Sequence, residues 1–247
     1  MPKRYLPTDV LTAAIERTEW TFDTFDRVYL SYSAGKDSTV MLHLAAQEAR
    51  KRGRRLGVML VDLEGQYRCT IEHAQQQLAD YADVCDVFWL CLPIALRNAV
   101  SVFQPKWTCW DPEAKEGWIR QPPEGAITDP DQFDWFYPGM EFEDLVPLFG
   151  EWYSQGQSTA CMVGIRSDES LNRYRTIASH AKKKIDGKQW TTVVTPHVAN
   201  VYPIYDWRTA DIWTWHARNP DAAVNPLYDL MHRAGVPLAH QRICQPY

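Results

Sequence analysis

Hydrophobic and polar positions in the first third of the chain switch between a helical period and short apolar runs. Thr8-Asp9 has the form of a helix cap, and Val10, Leu11, Ala14 and Ile15 follow at helical spacing. Arg27-Val28-Tyr29-Leu30-Ser31 is a β-prone run ending in small residues. A strongly helical segment starts at Ser38 and runs to about Arg50. Gly53 is placed to end it, and the cations Lys51, Arg52, Arg54 and Arg55 suit the negative end of a helix. Leu56–Val61 is continuously apolar, as in a sheet covered on both faces. A helix over 70–81 and a third strand over 87–91 follow.

The alternation then stops. A segment at about 102–155 is rich in Trp, Pro, Asp and Glu and shows no clear period, which suggests a lid or an insert with a small core of its own. Regular patterning resumes with a strand over 160–165, a helix over 168–181 and a basic link over 182–188. Further on come a last strand over 201–204, a helix capped by Thr209 and a helix near 227–233. Strands alternating with helices predict an α/β fold. The expected form is a doubly wound, mostly parallel five-stranded sheet with helices on both faces, in one domain over 1–247 that carries the aromatic insert. Ligands in such folds bind beyond the carboxyl ends of the strands.

Composition changes this picture little. The chain of 247 residues is 45% hydrophobic and 23% charged, with a formal charge of −5, so any anion site must be built locally. No apolar run reaches the roughly 18 residues of a membrane span, and the first residues lack the apolar core of a signal peptide. Six scattered cysteines with no Cys-x-x-Cys pair read as reduced cytoplasmic thiols, without an iron–sulfur cluster or zinc ribbon. His240 and Cys244 stand four residues apart, and two such residues do not make a metal site.

The chemistry concentrates where strands end. Ser31 closes the first strand, and Ser33-Ala34-Gly35-Lys36-Asp37-Ser38 leads into the next helix. Small residues let backbone approach a phosphate, and the N–H groups opening the helix point at it. Lys36 can neutralise phosphate charge, Ser33 and Ser38 can donate hydroxyl hydrogen bonds, and Asp37 could hold Mg²⁺ or its water. Asp62 ends the second strand and can accept from a ribose hydroxyl or an adenine amino group. Gly164-Ile165-Arg166-Ser167-Asp168-Glu169-Ser170, with Arg173, again joins a strand end to a helix start. Arg166 and Arg173 could meet a phosphate or sulfate there, and the acids are what any helix start prefers. The 182–188 link could fold back over a nucleotide, and Arg50 to Arg55 would lie at the far edge of the sheet.

The spacing is not that of a Walker loop. Ser33–Ser38 resembles the PP-loop of the adenine-nucleotide α-hydrolase superfamily, Ser-Gly-Gly-x-Asp-Ser, with Ala34 replacing one glycine. Lys36 at the variable place looks like the branch holding 3′-phosphoadenylyl-sulfate (PAPS) reductases and the small subunit of ATP sulfurylase. Val61-Asp62, the Gly164–Arg173 string, Pro203 to Trp213 and Asn225-Pro226-Leu227-Tyr228 resemble further stretches of that branch. The resemblance implies an adenine nucleotide, ATP or PAPS-like, bound by Ser31, Ser33, Ala34, Gly35, Lys36, Asp37, Ser38, Asp62, Gly164, Arg166, Asp168 and Arg173. Lys36, Asp37 and Arg166 would be the catalytic candidates, with Mg²⁺ if the nucleotide is ATP.

Three chemistries stay open at this point. One is adenylyl transfer from ATP with release of pyrophosphate, in which Lys36 and the loop amides stabilise developing charge. Another is reductive cleavage of a sulfo-nucleotide. PAPS reductases use a Glu-Cys-Gly-x-His for that step, whereas Cys244 here lacks the Gly-x-His and reads as an inert thiol. The third is a nucleotide-responsive regulator. The Arg242-to-Tyr247 end and the aromatic insert resemble a PAPS-reductase-like family of enterobacteria and phages, encoded beside a ParB-like partner and described as regulators of prophage genes.

Overall fold

The computed structural model describes residues 7–98, 100–179 and 181–243. Asp9 caps the first helix as its sequence predicts, its carboxylate accepting from the N–H groups of Leu11 and Thr12 at 3.0 and 3.1 Å. That helix, α1 (Val10–Thr24), precedes β1 (Arg27–Ser31), α2 (Lys36–Arg52), β2 (Leu56–Val61), α3 (Arg68–Asp80) and β3 (Cys85–Leu90). Gly53 ends α2 at φ 61°, the left-handed conformation that glycine adopts without penalty. A short antiparallel pair, β4 (Ala95–Arg97) and β5 (Lys106–Thr108), opens the aromatic segment, and α4 (Phe142–Ser154) closes it. Then come β6 (Thr159–Val163), α5 (Leu171–Ala178), β7 (Thr191–Val193), β8 (Val198–Val201), α6 (Thr209–Arg218) and α7 (Leu227–Arg233).

The central sheet has six strands in the order β3-β2-β1-β6-β8-β7. All neighbours are parallel except the edge strand β7, which runs antiparallel to β8. The architecture is the expected mostly parallel α/β sheet, with one strand more than the patterning predicts. Three residues at 191–193 are too short to show a period, and their pairing moves the last parallel strand back to Val198–Val201. The chain leaves β1 toward β2 and β3, then returns to the other side of β1 with β6. The crevice where strand order reverses therefore lies between the ends of β1 and β6.

The aromatic segment does not hold a separate core. Trp110, Phe133, Met140, Leu145 and Phe149 belong to the same buried cluster as the sheet. Its helix α4 lies unusually close to the strands. A Cβ on Gly150 would come within 2.7 Å of the Tyr29 hydroxyl, and one on Gly57 within 2.6 Å of that of Tyr153. Gly150 thus marks a helix–sheet contact rather than a break in the helix.

At the opposite end of the sheet, the arginines around Gly53 make ion pairs and carbonyl contacts, with Arg50 and Arg55 remaining exposed. Arg50 forks onto Asp83, and Arg52 pairs with Asp23 and Glu48. Arg54 donates to the carbonyls of Phe22, Phe25 and Asp26, and Arg55 binds Asp86 and the Cys85 carbonyl. Among the described residues no helix is long and apolar enough to cross a membrane.

Candidate nucleotide-phosphate site

The loop between β1 and α2 is knotted by one hydroxyl. Ser38 Oγ accepts from the N–H groups of Gly35 and Ser33 at 3.1 and 3.3 Å, and lies 3.1 Å from Ser33 Oγ. Ala34 sits at φ 59°, the position where the superfamily pattern has glycine. For an alanine that conformation costs about 1–2 kcal/mol. Ser31 stays in the strand ladder, opposite Met59 and Val163, just before the loop.

Residues far along the chain set the shape of this loop. Asn225 Nδ2 donates to the Ala34 carbonyl at 3.1 Å and to Thr70 Oγ1 at 3.0 Å. The Lys36 N–H donates to the Tyr228 hydroxyl at 3.2 Å, and His216 Nε2–H donates to the Lys36 carbonyl at 2.9 Å. A carbonyl can only accept, so that bond places the His216 proton on Nε2. Burial lowers the His216 pKa and keeps the ring neutral. The Asn225–Tyr228 stretch stands out in sequence through its resemblance to the PAPS-reductase branch, which does not tell that its side chains hold the loop from behind.

Across the crevice, Gly164 ends β6 against the start of α2. A Cβ there would stand 3.2 Å from the backbone of Asp37 and Ser38. This close approach carries Arg166 to Asp37: the guanidinium Nε pairs with one carboxylate oxygen, and Lys36 Nζ lies 2.9 Å from the other. Arg166 is 2% exposed and Lys36 8%. Two buried cations thus converge on one carboxylate at the N-terminus of a helix, and Glu169 lies 3.9 Å from Arg166 as a second carboxylate. Both oxygens of the Asp37 carboxylate face cations. Among the described residues there is no cluster of three or more His, Cys, Asp or Glu that could hold a metal.

Three other candidates, Asp62, Asp168 and Arg173, have surroundings different from those expected. Asp62 is fully buried at the end of β2 and already occupied. Trp89 Nε1 and the Glu64 N–H donate to it at 2.8 and 2.9 Å, and Arg120 of the aromatic segment pairs with it. Glu64, at φ 64°, accepts from the N–H groups of Trp110 and Ile119 at 2.7 and 3.1 Å. The insert is therefore anchored over the strand end where a ribose or adenine was expected to meet Asp62. Helix α5 starts three residues later than predicted, because Ser170 and not Ser167 caps it, accepting from the Arg173 N–H. Asp168 is exposed, and Arg173 lies 3.8 Å from Glu169, which also faces Arg166 at 3.9 Å.

The link after α5 is also fixed: Lys184 Nζ donates to the carbonyls of Ile177 and Gln189 at 3.0 and 3.1 Å. Burial pushes the thiols of Cys85, Cys109 and Cys161 up to about 12 and that of Cys91 higher still. Cys244 lies outside the described residues.

The model of the phosphoadenosine phosphosulfate reductase domain matches residues 27–234, from the first strand to beyond α7. The chain belongs to that family. A curated relative, the uncharacterized protein YbdN of Escherichia coli (strain K12), is 50% identical over 245 residues, which are 98% of this chain. The chain spans about 60% of the length of that relative. Among solved structures it is similar to the PAPS reductase of Candida auris in a phosphate complex, at 13% identity and TM-score 0.49. That match covers 93% of this chain and 94% of the other. It is also similar to FMN adenylyltransferase of Candida glabrata with FAD and inorganic pyrophosphate, at 15% identity and TM-score 0.47, over 91% of this chain and 64% of the other. As a PAPS-reductase-domain protein the chain has the PP-loop fold, with its loop at the switch point of the sheet.

Proposed function

We infer that this PAPS-reductase-domain protein binds an adenine nucleotide with its phosphates at Gly35–Ser38. Its chemistry would be adenylyl transfer from ATP, with release of pyrophosphate. The observation that carries the reading is the convergence of Lys36 and Arg166 on the Asp37 carboxylate at the start of α2. A phosphate group arriving there would take over the role of Asp37 as counter-charge. It would accept from Lys36, Arg166, the first helical N–H groups and the Ser33 and Ser38 hydroxyls. As an acceptor attacks the α-phosphorus and the bond to the β-phosphate breaks, negative charge moves onto pyrophosphate, beside the two cations. Four buried cysteines, Cys85, Cys91, Cys109 and Cys161, have raised pKa values and do not themselves offer the thiolate that reduction of a sulfo-nucleotide needs.

Calorimetric titration with ATP, PAPS and AMP, followed by incubation with α-labelled ATP and Mg²⁺, tests both halves of the reading. ATP should bind and Lys36→Ala should weaken it at least tenfold, with labelled AMP transferred or pyrophosphate released. Failure of ATP and PAPS alike to bind would end it. Tight binding without turnover, with or without acceptors, would favour a nucleotide-responsive regulator.

A further inference from the structure

The surface formed by α5 and the link that follows it has a charge and an exposure that nothing in the nucleotide site requires. Residues 171–188 carry six Lys or Arg against one acid, Asp186, in a chain whose formal charge is −5. Lys184 is tied into the fold by its two carbonyl bonds, and Lys188 rests over the Trp20 ring, so these two are structural. Arg175, Lys182 and Lys183 are exposed and have no ion pair among the described residues. Arg173 and Arg242 extend the patch toward the crevice, Arg242 reaching the Glu169 carbonyl at 3.5 Å.

Helix α5 itself is poorly supported. Of its eight residues only Ile177 is buried. Leu171 and Tyr174, three positions apart and so on one face, are 61% and 44% exposed. A helix this short gains little from its own hydrogen bonds, and Ile177 alone packs inward while Leu171 and Tyr174 on the same side stay exposed. An aromatic ring between two arginines, beside two free lysines, suits a chain of phosphates whose bases can stack.

We propose that α5 and the 182–183 turn form a docking surface for single-stranded nucleic acid. Its backbone would lie along Arg175, Lys182 and Lys183, with a base on Tyr174. The surface borders the crevice, because α5 follows directly from the Gly164–Ser170 loop that faces Asp37. A strand bound here would run past the phosphate site. The proposal does not depend on which nucleotide that site takes.

Fluorescence anisotropy with a short fluorescein-labelled mixed-sequence oligonucleotide, single-stranded or duplex, tests this as salt is varied. Single strands should bind more tightly than duplex. The triple variant Arg175→Glu, Lys182→Glu, Lys183→Glu should lower the slope of log affinity against log salt by about 2, the loss expected for three phosphate contacts. Tyr174→Ala should weaken single-strand binding about 5-fold or more while leaving the salt slope unchanged. Thermal melting and ATP titration on the same variants should match the parent protein, which separates this result from damage to the fold or to the phosphate site. The proposal is overturned by absence of oligonucleotide binding or by a triple variant with an unchanged slope. Displacement by polyglutamate as effective, per charge, as by unlabelled oligonucleotide would also overturn it, pointing to an acidic protein as the partner.

Discussion

Replacing Asp37 by Asn tests the electrostatic logic of the site most directly. The substitution keeps the shape of the side chain and removes the carboxylate charge that Lys36 and Arg166 share. Breaking a buried ion pair from one side costs about 3–5 kcal/mol, because the remaining charge stays desolvated. Arg166 keeps the Trp207 carbonyl at 3.4 Å and Glu169 at 3.9 Å, and Lys36 keeps the face of the Tyr228 ring at 5.3 Å. These residual partners place the expected loss at the lower end, about 3 kcal/mol.

An anion should then restore stability more in the variant than in the parent, since it no longer competes with a built-in carboxylate. At a hundredfold excess over its dissociation constant a ligand adds about 2.7 kcal/mol, close to the amount lost. The assay is urea unfolding at constant ionic strength, with and without inorganic phosphate or ATP. An unchanged midpoint in Asp37→Asn would refute the reasoning. So would a phosphate-dependent gain no larger than that of the parent protein.

Gly164→Ala should weaken ATP binding at least tenfold in calorimetric titration, with a stability loss of about 1–3 kcal/mol, because its Cβ would press on backbone that cannot yield. Arg120→Ala should cost about 3 kcal/mol in urea unfolding by leaving the buried Asp62 carboxylate without its cation, and near-UV circular dichroism should report loosening of Trp110. Burial lowers the pKa of His73 to about 4 and also lowers those of His43 and His216. Between about pH 4 and 6.5 the unfolded chain therefore binds more protons than the folded one. Stability should be full above pH 6.5 and decline as pH falls through that window, which urea midpoints at pH 7.5 and 5 would register. A flat profile would contradict it.

The sequence made the parallel strands and the loop legible because both depend on local order: apolar runs ended by small residues, then a lysine and serines opening a helix. What escaped it depends on contacts across the chain. Helix α4 escaped it inside a segment with no clear period, although Leu145, Phe149 and Tyr153 line its buried face and Gly150 lets it close on Tyr29. Asp62 looked available because its partner Arg120 is 58 residues away in a segment with no period. Arg173 looked like a phosphate ligand by spacing and by resemblance, and in the structure it lies 3.8 Å from Glu169, which also faces Arg166. The family-like stretch 225–228 marks Asn225 and Tyr228 without telling what they hold, and no local pattern marks His216.

Those last three contacts bear on the order of synthesis. The backbone of residues 34–36 is held by side chains 180 to 192 positions downstream. A nascent chain can pair β1 with β2 and wind α2 long before residue 225 leaves the ribosome, yet its phosphate loop would still lack the groups that fix its shape. Competence for nucleotide would then arrive late and all at once, leaving incomplete chains unable to capture the ligand.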